Sequence, residues 1–489
     1  MTDQSATTVA GLTPSGGTKL EPNAISTAQD TIIGMASSAP AATVGLTVAG
    51  LAAATAYGST PVMLISAAAM LVIANSYRRL NLWKANVGAS FEWVGRAINP
   101  YLGFLTGWLM IVAYILGTVS AVLVLGPNVL AVFGDNNTDT GAYVAIAVAV
   151  TLVMLVIAVI GIKITARVQV GMAAIEYLIL FGLSIAGVLW VTSGHHPGAV
   201  HFTSGWLSLN GVDGKGDAIS GFLIAVFIYG GWDGTLYVNE EVKHRRVNPG
   251  RSAVLAVALL AILYTLAQFG FQGVLSPGKL AAASTNGTAL TAVATALGGG
   301  FWGKAMALSL ALSVIATTGT GIVLTARIVY GMATYRTLPS FLGNVSPRWR
   351  TPVASSVLVG LVLAALGVIY LVATSVQNAF NNVIDVTGLL FSIFYIFTAL
   401  AAMTYYRRRI LSNVWDFVLV GILPLAASVF LGYVFVKSVA AAPWEQRWAM
   451  IGIVIAGLVL MFVARFILRS SFFKLPRESS PKNAVEVTD

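Results

Sequence analysis

Three carboxylates fall inside long apolar runs. Glu176 lies in VGMAAIEYLILFGL at 170–183, Asp233 in FIYGGWDGTLY at 227–237, and Asp385 just past Asn381 and Asn382. No Lys or Arg sits at comparable depth. A charged group inside hydrocarbon is costly and is a candidate for function by default. Such a carboxylate suits a proton site or the counter-charge of an amine. Glu176 can also be read as a hydrogen-bonded clamp between helices. Asp385, placed here in the first turn of a helix, can also be read as a water-facing partner of the helix dipole.

Two of the apolar runs are interrupted. MASSAPAATVG at 35–45 contains Pro40, which cannot donate a backbone hydrogen bond and disfavours helix at Ala39. In the other run, Tyr229, Gly230, Gly231, Trp232, Asp233 and Gly234 place three glycines around an aromatic and an acid. Glycine permits unwinding, and unwound backbone at membrane depth is tolerated only where it lines a cavity. Paired breaks at matching positions of two halves point to a transport site at the midplane. A restarted half-helix offers N–H groups to a carboxylate, and exposed carbonyls suit an amine. The plainer alternative is a kink at Pro40 and close packing at the glycines.

Hydroxyls at helical spacing, Ser313, Thr317, Thr318 and Thr320, lie in ALSVIATTGTGIVLTAR at 311–327. They could ligate a cation or bond a neighbouring carbonyl. Trp108, Tyr114, Phe227, Tyr229 and Trp232 are candidates to cap a substrate or meet its amine by cation–π contact. Trp232 is the strongest of them because it lies inside the break.

These residues need a membrane to position them. Of 489 residues, 57% are apolar and only 9% charged, against about a quarter charged in soluble proteins. Apolar blocks long enough to cross about 30 Å of hydrocarbon predict helices near 31–56, 59–77, 101–126, 142–160, 168–192, 218–239, 252–274, 303–330, 353–374, 383–405, 415–437 and 447–468. The chain is therefore expected to be an all-α integral membrane protein with twelve transmembrane helices. In that arrangement all of the 28 Lys and Arg except Lys215, Lys279, Lys304, Lys437 and Arg447 fall on one side. Short cytoplasmic loops retain positive charge, so both termini are expected in the cytoplasm. The formal charge of +10 thus follows topology and excludes nucleic acid as the expected partner.

Other features carry less. The chain has no Cys, which removes disulfides and thiolate chemistry. Gly298 to Lys304 spells a phosphate-loop pattern, but Ala305 stands where Ser or Thr is required. His195, His196 and His201 cluster in an outer loop without a ligand set that fixes a metal. Asn136-Asn137-Thr138 and Asn286-Gly287-Thr288 are glycosylation sequons. No cofactor or metal is expected.

The run MASSAPAA, GFLTGW at 103–108, GWDGTLYVNEEVKHRRVNPGR at 231–251 and TARIVYGMATYRTLPSFLGNVSPRWRTPVAS at 325–355, in this order, resemble the amino acid-polyamine-organocation permeases. The resemblance spans about residues 30–470. It implies a LeuT-type 5+5 inverted repeat plus two C-terminal helices, with helices 1 and 6 broken and alternating access around them. By position it points to Ser37, Ser38, Ala39 and Pro40 and to Tyr229, Gly230, Gly231 and Trp232 as substrate-binding, with Trp108 and Asp233 beside them. Ser-Ser-Ala-Pro replaces the Gly-Ser-Gly-type first break of many relatives. Glu176 falls in the slot where some proton-dependent relatives carry a lysine on helix five.

The division expected is a cytoplasmic tail (1–30), a first repeat (31–192), an outer loop (193–217), a second repeat (218–406), helices 11 and 12 (407–468) and a cytoplasmic tail (469–489). The function expected is a secondary transporter of amino acids or related amines in the plasma membrane, coupled to protons or exchanging. Sodium is the alternative ion, and Glu176, Thr317 and Thr318 are the coupling-ion candidates. A polyamine permease is the alternative substrate class. A membrane-embedded enzyme is the alternative of another class, disfavoured because no loop assembles a nucleophile with a base or metal ligands.

Overall fold

A computed structural model describes residues 18–135, 139–194, 198–285, 287–373, 376–410 and 413–480, without the side chains of 376–382. The histidines at 195 and 196, the residues Asn136 to Thr138 and Asn286 lie outside the described residues. Among the described residues there is no strand, and twelve helices are long and apolar enough to cross a membrane. They are Thr27–Ala54, Ser59–Trp83, Pro100–Phe133, Thr140–Ile160, Ile162–Ser193, Ala218–Leu236, Asn248–Phe271, Gly300–Thr334, Val353–Ala373, Val383–Ile410, Val414–Ala441 and Trp444–Ile467. Each matches an expected span, because a chain in hydrocarbon must satisfy its backbone polar groups within each helix.

The largest differences are at helix ends. The first span starts at Thr27, where Ser26 and Gln29 form a capping box. It therefore takes in Asp30, which the sequence had assigned to the tail and which is fully buried beside Ser252. Residues 18–26 are also not a free tail. Ala24 and Ile25 donate backbone hydrogen bonds to the Glu241 carbonyl, and Lys243 returns one to Ile25. Asp217, just outside the sixth span, is its N-cap, and the Ser220 hydroxyl holds its carboxyl below the usual range.

Loops gather into two faces. On one, the segment around Ile25 pairs with Val242, Arg96 bonds Glu478, Thr351 reaches the Val159 carbonyl and Ser480 bonds the Tyr405 carbonyl. On the other, Val212 bonds the Ala56 carbonyl, Trp206 stacks on Tyr57 and Val200 bonds the Gly273 carbonyl. The first set carries most of the arginines. The parity read from Lys and Arg therefore agrees with which loops meet.

Close approach between spans relies on small residues. Gly187 of the fifth span faces Gly270 of the seventh so tightly that a Cβ on Gly187 would lie 3.0 Å from the Gly270 backbone. On the arginine-rich face, Arg327 of the eighth span grips Glu241 through two bonds of 2.5 and 2.9 Å, with both side chains fully buried. Arg327→Ala leaves a buried carboxylate without its counter-charge and is expected to cost about 3–5 kcal/mol. Thermal unfolding in detergent measures it. If Arg327→Ala unfolds at the parent temperature, the pair contributes nothing to closing this face.

Candidate functional site

The first span breaks where Pro40 predicts. One half-helix ends at Ala36, Ser37 and Ser38 turn, Ala39 takes φ +47, and a second half-helix runs from Pro40 to Ala54. A left-handed alanine costs about 1–3 kcal/mol, which the surrounding packing must offset. The sixth span breaks between Ala218–Ile228 and a short 3-10 turn at Trp232–Leu236. Gly231 adopts φ +102 there, and a Cβ at this position would sit 2.7 Å from the Ser37 carbonyl oxygen. Only glycine meets both demands.

The two breaks are tied to each other. The Ser37 hydroxyl lies 2.5 Å from the Gly231 carbonyl and 2.8 Å from that of Gly34. Between them is a cavity lined by Ser37, Ser38 and Ala39 of the first span, Tyr114 and Thr118 of the third, Phe227 and Gly230 of the sixth, Thr317 of the eighth and Phe391 of the tenth. The sequence had marked most of these. It had not marked Phe391 or Thr118; one helical turn beyond Tyr114, Thr118 was legible by spacing alone.

Asp233 lies outside the cavity lining, in a cage of phenols. The hydroxyls of Tyr114 and Tyr395 lie 2.9 and 2.8 Å from Oδ1, and Tyr237 donates to Oδ2. The Tyr114 hydroxyl is also 3.1 Å from the Gly231 carbonyl, and the Tyr395 oxygen accepts from the Gly231 N–H at 3.3 Å. One carboxylate thus fastens the sixth-span break to the third and tenth spans. Asp233, expected beside the substrate, is joined to the cavity lining through Tyr114. No sequence pattern signals the cage, because its tyrosines come from positions 114, 237 and 395.

Glu176 lies fully buried against the first break. Its Oε1 accepts from the Ala41 N–H at 3.0 Å, Ser313 stands beside the carboxylate, and Ser309 donates to the Glu176 carbonyl at 3.1 Å. A carboxylate from the fifth span therefore caps the second half-helix, where the macrodipole favours negative charge. Thr317 is part of the same junction, its hydroxyl 2.7 Å from the Ala36 carbonyl. Thr318 instead bonds Val314 within its own helix.

Three of the aromatic candidates lie outside the cavity lining. Trp108 donates its indole N–H to the Ile453 carbonyl at 2.8 Å and packs on Gly457, so it serves the twelfth span. Trp232 is fully buried, stacked on Tyr395 at 5.4 Å and edge-on to Tyr77, outside the cavity lining. Tyr229 is likewise buried, edge-on to Tyr264. Large rings beside a break pack into the surrounding helices because that is where apolar area can be removed from water. Asp385 is not in a first turn: the helix that carries the tenth span begins at Val376, ahead of the apolar stretch from Val383, and the Asp385 Oδ2 accepts from Gln446 of the twelfth span at 3.0 Å.

Comparison with known proteins bears on the family and the fold. A family model described as amino acid permease matches residues 29–474. The vacuolar cationic amino acid transporter 4 of Arabidopsis thaliana is 25% identical over 62% of this chain, and the match spans only 51% of that protein's length. The low-affinity putrescine importer PlaP of Escherichia coli is 22% identical, over 81% of this chain and 83% of the importer. Among solved structures, a mutant of the Eremococcus coleocola manganese transporter superposes with a TM-score of 0.61 at 14% identity, covering 90% of this chain and 94% of that one. That likeness concerns the fold, which is the LeuT-type arrangement of twelve helices with the first and sixth broken. With the family model covering nearly the whole chain, the protein belongs to the amino acid permease family.

Proposed function

We propose that this chain is a secondary active transporter that moves an amino acid or related amine by alternating access. The observation that carries the reading is the joining of two broken helices at a cavity between the first, third, sixth, eighth and tenth spans. Broken helices hold polar backbone at membrane depth without a continuous pore, which suits binding followed by rocking of one helix group against another. The repeats at 31–192 and 218–406 are the two groups in this proposal, with the helices of 407–468 outside them. The arginine-rich face is the cytoplasmic one, both termini lie there, and the membrane is the plasma membrane. Proton coupling or exchange is favoured over sodium because Glu176 is built into the junction between the first and eighth spans.

Purified protein in proteoliposomes tests this. Labelled substrate should accumulate above its outside concentration under an inward proton gradient or against preloaded substrate. Flux that only ever runs downhill, and that does not saturate, would remove the carrier reading in favour of a channel. Conversion of the solute during uptake would instead favour an enzyme.

A further inference from the structure

The cavity's hydrogen-bonding groups are sorted by direction. A hydroxyl has one proton to donate and two lone pairs to offer. Six cavity hydroxyls spend that proton on the protein. Thr43 donates to the Ser38 carbonyl at 2.7 Å, Thr118 to Tyr114 at 2.8 Å, Ser120 to Gly117 at 2.7 Å and Thr317 to Ala36 at 2.7 Å. Ser37 donates to Gly231 or Gly34, and Tyr114 to Asp233 or Gly231. What these six present to the cavity is lone pairs. Among the described residues at the cavity, Ser38 is the one hydroxyl that forms no hydrogen bond.

The backbone donors of the first break are spent too. The N–H groups of Ser37, Ser38 and Ala39 bond the carbonyls of Ile33, Met35 and Ala36, Pro40 has none, and Thr43 bonds Ala39. Ala41 is taken by the Glu176 carboxylate and Ala42 by the Ser313 hydroxyl. At the second break Tyr229 and Gly230 bond Ala225 and Phe227, and Gly231 bonds the Tyr395 oxygen. The helix terminus that could hold a substrate carboxylate already holds one, supplied by the protein. A second carboxylate would have to displace Glu176 from the Ala41 N–H.

We infer that the substrate of this site is an organic ammonium ion without a carboxylate, that is, an amine and not its parent amino acid. An ammonium group carries donors and no acceptor, which complements the six hydroxyls that offer only lone pairs; the seventh, Ser38, can also accept. Among the described residues, no Lys, Arg or His lines the cavity to oppose it. The inference rests on the transporter reading and narrows it.

The test pairs each amino acid with its decarboxylated amine: ornithine with putrescine, lysine with cadaverine, leucine with isoamylamine. Binding to purified full-length protein is read by thermal shift, and transport by counterflow in proteoliposomes. The amine of at least one pair should bind about tenfold or more tightly than its parent. A parent binding as well as its amine in every pair, or no amine binding at all, would overturn the inference. Amine binding without counterflow would leave the substrate class standing and remove the transporter reading. As a second arm, Glu176→Ala frees the Ala41 N–H and should narrow the discrimination by admitting the parent amino acid. Retention of full discrimination in a folded Glu176→Ala protein would count against the plugged terminus as its cause.

Discussion

Glu176→Gln will abolish accumulation driven by a proton gradient while leaving counterflow largely intact. Gln keeps the shape of Glu and an oxygen that can accept from the Ala41 N–H, so the cap on the second half-helix survives. It cannot take up and release a proton. With one proton moved per substrate, a gradient of one pH unit supplies about 1.4 kcal/mol, an accumulation of about tenfold. The parent protein should reach that ratio and Glu176→Gln should stay near unity, with counterflow rates within about twofold of the parent. Accumulation by Glu176→Gln that tracks the gradient as in the parent would show that the proton is carried elsewhere.

Asp233→Ala should cost as much stability as Arg327→Ala. It leaves the hydroxyls of Tyr114, Tyr237 and Tyr395 buried without their shared acceptor, and an orphaned buried group costs about 1–3 kcal/mol. The tyrosines can partly re-bond one another, so the expected total is about 3–5 kcal/mol, in the large-effect tail to which broken buried networks belong. Thermal unfolding in detergent reads it. Asp233→Asn retains one acceptor oxygen and should lose roughly half as much. Combining Asp233→Ala with Tyr237→Phe should cost less than the sum of the two, because the second change removes a hydroxyl that the first had stranded. Strict additivity, or parental stability in Asp233→Ala, would refute the cage as the fastening of the sixth-span break. Because Asp233 does not line the cavity, substrate affinity in Asp233→Asn should fall less than transport rate.

The contrast between Glu176 and Asp233 shows where sequence reading stops. Both were visible as isolated acids in apolar runs. Their partners were not, because Ala41, Ser313, Tyr114 and Tyr395 lie on other spans and nothing local marks a residue as the neighbour of a distant one. The same holds for Trp232: its position inside a break was legible, but its ring packs on Tyr77 and Tyr395 from other spans. The missed Asp30 reflects a boundary effect, since a capping box extended the first helix below the apolar run.

What the sequence determined by itself was the number of spans, their sidedness relative to one another and the location of both breaks. Each of these follows from properties local to the chain: hydrophobic length against bilayer thickness, the distribution of Lys and Arg, and the backbone limits of Pro40 and Gly231. Only the tertiary structure decided which polar atoms at the breaks remain available. A hydroxyl or N–H counts as donor or acceptor to a guest only after its bonds to the protein are made, and those bonds come from helices far apart in sequence.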